Sequence, residues 1–112
     1  MKVINRIKKS DEFLLTIRKG QFFNLGSFVV HIRQTDLGYT RVGISVSSKL
    51  GNAVTRNKIK RQIRAMCREL IHFDKQSLDV VIIAKNPYLE RDYAENKLIL
   101  INLFSKQAGF NL

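Results

Sequence analysis

Apolar and polar positions alternate along several segments of the chain, a pattern that predicts β-strands. The segment "FVVHIRQT" places Phe28, Val30 and Ile32 on one face, as expected for a half-buried strand. After a turn at residues 36–38, "YTRVGISVSS" returns as a second strand, so the two are predicted to pair as an antiparallel hairpin. The continuous apolar run "LDVVIIA", residues 78–84, has the length of a strand that is covered on both faces.

Helical periodicity appears near both ends of the chain. The segment "KSDEFLLTIRKGQ" predicts a short helix with Ser10 as its N-cap and Gly20 just past its end. Residues 92–106 predict the last helix, in which Asp92 and Glu95 have capping-box spacing. The apolar positions of this helix at helical intervals are Leu98, Ile101 and Phe104.

A further helix, predicted at residues 53–72, has two distinct faces. At about 100° per residue, its core-facing stripe consists of Ile59, Ile63, Met66, Cys67 and Leu70. Beside this stripe lies a contiguous set of polar side chains, here called the basic arc: Arg56, Asn57, Lys60, Arg61, Arg64 and Arg68. Because no acidic residue occurs between Lys49 and Arg68, the cations of the arc repel one another. Arginine binds phosphate through two parallel hydrogen bonds, so the arc predicts a phosphate-binding surface rather than an ordinary solvated face.

Composition and charge agree with that prediction. A chain of 112 residues with 45% hydrophobic content suits a single folded domain, residues 1–112, and a formal charge of +11 predicts nucleic acid as the partner. No apolar run approaches the roughly 18 residues that span a bilayer, and no signal-peptide pattern opens the chain, so we expect a soluble, cytoplasmic protein with no membrane partner. Cys67 has neither a second cysteine nor a histidine at metal-ligand spacing, so neither a disulfide nor a metal site is indicated.

The remaining basic residues near the N-terminus leave two interpretations open. Lys2, Arg6, Lys8 and Lys9 precede the first helix. They either extend the phosphate-binding surface or form a mobile tail.

The segment "RVGISVSSKLGNAV", followed by "RNKIKRQIR", resembles the protein subunit of bacterial ribonuclease P. The core of that family is an Arg-Asn-x-x-Lys-Arg-x-x-Arg helix preceded by Gly-Asn-Ala-Val. The residues that match it in full are Arg56, Asn57, Lys60, Arg61 and Arg64. The opening "RIKKSDEF" and the strand "VVIIAKNP" extend the match over residues 6–87, whereas the chain after residue 87 matches only as a helix.

The resemblance implies an α+β fold, a two-layer α/β sandwich of the ribosomal protein S5 domain 2-like type with elements in αβββαβα order. It implies a central mixed, mostly antiparallel sheet and a short strand around "QFF" that the residue pattern does not show. It also implies a left-handed β-α-β crossover, although about 98% of such connections are right-handed.

The resemblance further implies a subunit of an endoribonuclease that removes the 5′ leader from precursor tRNA. In that holoenzyme the RNA subunit carries out the hydrolysis with Mg²⁺, which the RNA mainly holds, and one protein is expected per RNA. The protein broadens the substrate range and lowers the Mg²⁺ requirement, and no catalytic or metal-ligating residue is expected in it. The chain agrees, since it shows no paired carboxylates and no Ser/His or Cys/His arrangement.

Transferred to this chain, the family's RNA-subunit contacts fall on the basic arc: Arg56, Asn57, Lys60, Arg61, Arg64 and Arg68. Its leader contacts fall on Phe13, Ile17, His31, Lys49 and Lys85. This chain departs from the family at three single positions and one pair, where an aromatic, a tyrosine-type residue, a lysine and an Arg-Lys pair are common: Ile17, His31, Ser48 and Lys85-Asn86. These departures predict that the leader is bound more weakly, or with a different preference, than in other family members.

Three other functions compete with this interpretation. A ribosomal or general structured-RNA-binding protein would also suit one basic helix on an α/β scaffold. A helix-turn-helix DNA reader is disfavoured because the basic helix lies among strands and has no short helix before it. A membrane-active cationic protein is disfavoured because the basic arc adjoins core rather than a lipid-facing apolar band.

Overall fold

The computed structural model describes residues 2–106, in which three α-helices pack on one four-stranded sheet. In chain order the elements are α1 (Ser10–Lys19), β1 (Gln21–Asn24), β2 (Phe28–Gln34), β3 (Arg41–Val46), α2 (Ala53–Leu70), β4 (Leu78–Ala84) and α3 (Tyr93–Lys106). This confirms the α+β class, the αβββαβα order and the short strand at "QFF". Across the described part of the chain, no helix is long and apolar enough to cross a membrane.

Strand β4 lies inside the sheet, whose strand order is β1-β2-β4-β3. Strand β2 is antiparallel to β1 and β4, and β3 is parallel to β4, so the sheet is mixed and mostly antiparallel, as predicted. The predicted hairpin between β2 and β3 is wrong, because β4 separates them. Every residue of β4 except Ile83 is buried, and such an apolar run buries more surface at the centre of a sheet than at its edge.

A tight turn joins β1 to β2, and this is the antiparallel hairpin that forms. Gly26 in the turn has a φ of 81°, a left-handed conformation that glycine adopts without steric cost. The parallel strands β3 and β4 are connected through α2, which is the β-α-β crossover that the resemblance implies; its left hand stays a prediction.

The hydrophobic core lies between one face of the sheet and helices α2 and α3. Fully buried side chains from these elements include Phe28 of β2, Ile63 of α2 and Phe104 of α3. The predicted stripe of α2 is confirmed, with Leu70 only partly buried at its end. Burial raises the pKa of the Cys67 thiol to about 12, so this cysteine is a core residue without nucleophilic character at neutral pH.

The helix ends confirm one predicted cap and correct another. Helix α1 is preceded by Lys9 as N-cap, so the prediction of Ser10 in that role is wrong by one residue. The capping box of α3 is confirmed: Asp92 Oδ1 accepts from the Glu95 amide at 2.8 Å, and Glu95 Oε1 accepts from the Asp92 amide at 3.0 Å. Leu98 is 54% exposed, because α3 is apolar on most sides and buries a different face. The buried residues of α3 are Asn96, Leu100, Leu103 and Phe104.

A buried carboxylate ties α1 to the other face of the sheet. Asp79 of β4 is fully buried, and the strand register places it between Arg33 of β2 and Arg41 of β3. Arg41 donates from Nε and Nη2 to the two Asp79 oxygens at 2.9 and 2.7 Å, and Arg33 donates from Nη2 at 3.0 Å. Nη1 of Arg41 lies 2.7 Å from Oε2 of Glu12 in α1. The hydrogen bonds to Asp79 raise the pKa of Arg41, and the network holds the N-terminal half of α1 over β3.

Replacing Asp79 with asparagine should destabilise the fold by about 3 kcal/mol, because the half-buried guanidinium of Arg33 then loses its counter-charge and that of Arg41 keeps only Glu12. Urea unfolding would measure this loss. The matched control is Asp36→Asn, which removes an exposed carboxylate from a turn. Equal losses for the two variants would contradict the structural role of the buried carboxylate.

Candidate RNA interface

Helix α2 presents the basic arc along the side that flanks its buried stripe. The helix begins after Asn52, whose Oδ1 accepts a hydrogen bond from the Thr55 amide at 3.0 Å. Exposed members of the arc are Asn57, Arg61 and Arg68, and half-buried members are Arg56, Lys60 and Arg64. Among residues 2–106, no acidic side chain forms an ion pair with any of them, and the neighbouring Glu69 pairs with Lys97 of α3. The arc is therefore a surface of one charge sign, as predicted.

Three arginines of the arc share a cavity with a residue from the N-terminus. Arg61, Arg64 and Arg68 line a space of about 290 Å³ together with Arg6. Arg6 therefore lies beside the basic arc, and its part in phosphate binding stays a prediction. Lys2, Lys8 and Lys9 are exposed and do not line this cavity.

On the opposite face of the sheet, α1 crosses the strands and forms one wall of a cleft. The register aligns Phe22, His31, Val81 and Gly43 in one row across the four strands. The Phe13 ring of α1 lies directly on Gly43, since a Cβ at that position would stand 2.8 Å from two of its ring carbons. Only glycine permits this close approach, so Gly43 determines how α1 sits on the sheet.

The predicted leader-binding residues fall into two groups. Lys49 and Lys85 are exposed and line one cavity of about 400 Å³ at the ends of β3 and β4, with Ser45, Ser47, Ile83, Asn86 and Pro87. Phe13 and Ile17 are half-buried on α1, one helical turn apart. Ser45 and Ile83, which line this cavity, form a cross-strand pair two residues further along β3 and β4 than the pair Gly43 and Val81. The Phe13 ring lies on that second pair, at Gly43, so the two groups are neighbours on the same face of the sheet.

His31 lies on the cleft floor but is only 7% exposed. Its burial lowers the pKa of the imidazole, so the ring is neutral at pH 7 and adds no positive charge to the cleft. Its ring packs against Phe22 with centroids 5.4 Å apart at 56°. Sequence reasoning missed Phe22, which is 59% exposed, because "QFFN" has no visible strand periodicity. The pairing of an exposed phenyl ring with His31 became apparent only from the β1–β2 register.

A family model described as Ribonuclease P matches residues 1–108 of the chain. The chain belongs to the ribonuclease P protein family. Its relatives include the ribonuclease P protein components of Mesoplasma florum, 48% identical over 92 residues (81% of this chain and 84% of the relative), and of Bacillus pumilus, 43% identical over 111 residues (98% and 93%).

Solved structures of ribonuclease P proteins share the fold. The Staphylococcus aureus protein superposes with a TM-score of 0.83 at 35% identity, covering 96% of this chain and 98% of that one. The Thermotoga maritima protein gives a TM-score of 0.78 at 30% identity, covering 93% and 98%. As a member of this family, the chain is a subunit of a ribonucleoprotein endoribonuclease that acts in tRNA processing. Membership decides against the ribosomal, helix-turn-helix and membrane-active alternatives.

Gly43→Ala should destabilise the ribonuclease P fold by about 1 to 3 kcal/mol, because the added methyl group overlaps the Phe13 ring. The same substitution in a Phe13→Ala background should cost much less, since the overlapping ring is gone. Urea unfolding of both single variants and the double variant measures this coupling. An equal cost of Gly43→Ala in the two backgrounds would show that Phe13 does not rest on Gly43.

Proposed function

We propose that this ribonuclease P subunit binds the catalytic RNA through the basic arc and holds the 5′ leader of precursor tRNA in the cleft beside α1. The single observation that carries the first half is the absence of counter-charge along the arc. Four guanidinium groups, one lysine and one amide lie together without an acid paired to them in the described chain. The phosphates of a folded RNA supply the missing negative charge, and counterion release adds to the affinity.

The cleft supports the second half, because it combines what a single strand needs. Lys49 and Lys85 provide two cations at one end for the backbone, and Phe13 provides an apolar wall. Phe22 exposes a ring at the β1 end of the same sheet face. A leader that enters at the two lysines and continues across the sheet toward β1 would reach Phe22, where a base can stack on the phenyl ring. On this path Phe22 stacks on a base, in place of the aromatic residue that the family commonly has at the position of Ile17.

Cleavage itself is assigned to the RNA subunit, which would hold the Mg²⁺ ions. Glu12 of α1 and Asp79 of β4 are already paired with arginines and are poor candidates for metal ligands. The protein's contribution is electrostatic: its cations screen phosphate repulsion where RNA strands converge, a task for which RNA alone requires more Mg²⁺. Contact with the leader adds affinity that does not depend on the tRNA body. Substrates whose tRNA bodies bind weakly can therefore still be bound, which broadens the substrate range. We propose one protein per RNA, acting in the cytoplasm where precursor tRNA is processed.

Reconstitution with the cognate RNA subunit tests this function. At low, physiological Mg²⁺ the protein should accelerate leader removal from precursor tRNA, and at high Mg²⁺ the acceleration should shrink. A variant with Arg61 and Arg64 both changed to alanine should need more Mg²⁺ for the same rate. Lys58→Ala, which removes an exposed charge from the other side of α2, serves as its control. No acceleration by the unaltered protein at any Mg²⁺ concentration would refute the proposal.

Leader length tests the proposed path across the sheet. Affinity of the holoenzyme for precursor tRNA should rise with each added leader nucleotide until the strand reaches Phe22. Phe22→Ala should remove the last increase, by roughly 1 to 3 kcal/mol for one stacked base, while leaving short leaders unaffected. Ile17→Phe in the Phe22→Ala background should restore part of the loss by supplying a ring on α1. The control is Leu37→Ala, which removes an exposed apolar side chain from the loop between β2 and β3. If Phe22→Ala lowers the affinity equally at all leader lengths, and Leu37→Ala does the same, bases do not stack on Phe22.

A further inference from the structure

The N-terminal segment is held against the outer edge of β3. Arg6 pairs with Val42 in a parallel bridge, and the Ile7 amide donates to the Val42 carbonyl at 3.1 Å. One residue earlier, Asn5 is buried at 2% exposure, and its Nδ2 donates to the Thr40 carbonyl at 2.9 Å. A polar side chain buried at the end of a chain needs such a bond to offset its desolvation, so this contact determines where the segment lies.

The consequence of this anchoring is the position of Arg6. Helix α2 packs against β3, so a residue that follows the outer edge of β3 comes alongside the basic arc. Arg6 completes the cavity of about 290 Å³ whose other lining residues are Arg61, Arg64 and Arg68. No acid within residues 2–106 pairs with any of the four, and four guanidinium groups around one cavity repel unless an anion lies between them.

We propose that this four-arginine cavity binds phosphates of the RNA subunit, with Arg6 as a direct phosphate contact and Asn5 as the residue that positions it. The proposal rests on the proposed function and adds a binding residue from outside α2. Guanidinium groups that converge from two separate segments suit phosphates of converging RNA strands better than a single extended strand. The N-terminal segment and α2 then form one composite surface, whose geometry depends on the neutral hydrogen bond between Asn5 and Thr40.

The test measures the affinity of the full-length protein for the ribonuclease P RNA at several KCl concentrations. Arg6→Ala should weaken binding roughly tenfold and lower the magnitude of the salt slope by about 0.7 to 0.9, as loss of one phosphate contact does. Arg64→Ala should do the same, whereas Lys58→Ala should leave the slope unchanged. Arg6→Lys should keep the slope but weaken binding, because an ammonium retains the charge without the paired donors.

Asn5→Ala separates positioning from general stability. It removes no charge, yet it should reduce the magnitude of the salt slope as Arg6→Ala does. The double variant Asn5→Ala/Arg6→Ala should have the same affinity and salt slope as Arg6→Ala alone. A purely structural role of Asn5 would lower the thermal midpoint and leave the slope at the unaltered value, which would overturn the positioning claim. If the slope of Arg6→Ala equals that of Lys58→Ala, the cavity does not bind RNA phosphate through Arg6. In either case the unaltered protein would still bind and stimulate the RNA, so the proposed function would stand.

Discussion

The central position of strand β4 is the constraint on which both the basic arc and the cleft beside α1 depend. Because β4 lies between β2 and β3 and runs parallel to β3, the chain between β3 and β4 must cross the sheet, and α2 makes that crossing. The crossing buries the stripe of α2 against the sheet and leaves its basic arc at the side. It also leaves β3 at an edge, where the N-terminal segment pairs and brings Arg6 to the arc.

The second surface depends on α1, which has few apolar anchors of its own. Its contacts on the face of the sheet opposite α2 include the Glu12–Arg41–Asp79 ion-pair network and the packing of Phe13 on Gly43. Both contacts involve β3 near its N-terminal half, so the far ends of β3 and β4 stay uncovered and line the cavity that contains Lys49 and Lys85. The arc and the cleft lie on different sides of the sheet, so the two proposed contacts, with the catalytic RNA and with the leader, do not compete for one surface.

Pairing with carboxylates separates the arginines that stabilise the fold from those that are proposed to bind RNA. The arginines that stabilise the fold, Arg33 and Arg41, are paired with carboxylates and largely withdrawn from solvent, whereas those of the arc and Arg6 have no acidic partner in the described chain. Unpaired cations lower the stability of the free protein slightly. The proposed contact with RNA phosphates would offset this cost, because the phosphates supply the missing negative charge.

Local periodicity in the sequence was enough to predict α2 with its stripe and arc, the extent of β4, and the capping box of α3, because helix and strand periods follow from the geometry of neighbouring residues. The motif on α2 indicated the family because its residues lie close together in the sequence, on one continuous helix. Only the tertiary structure decided that β2 pairs with β4 instead of β3, that Asp79 joins Arg33 and Arg41, and that Phe13 rests on Gly43. It also decided that Arg6 joins the arc and that Phe22 flanks His31. These contacts connect residues that are distant in the chain. Which of them form depends on how much apolar surface each possible arrangement of the elements buries, and a local sequence pattern does not reveal that area.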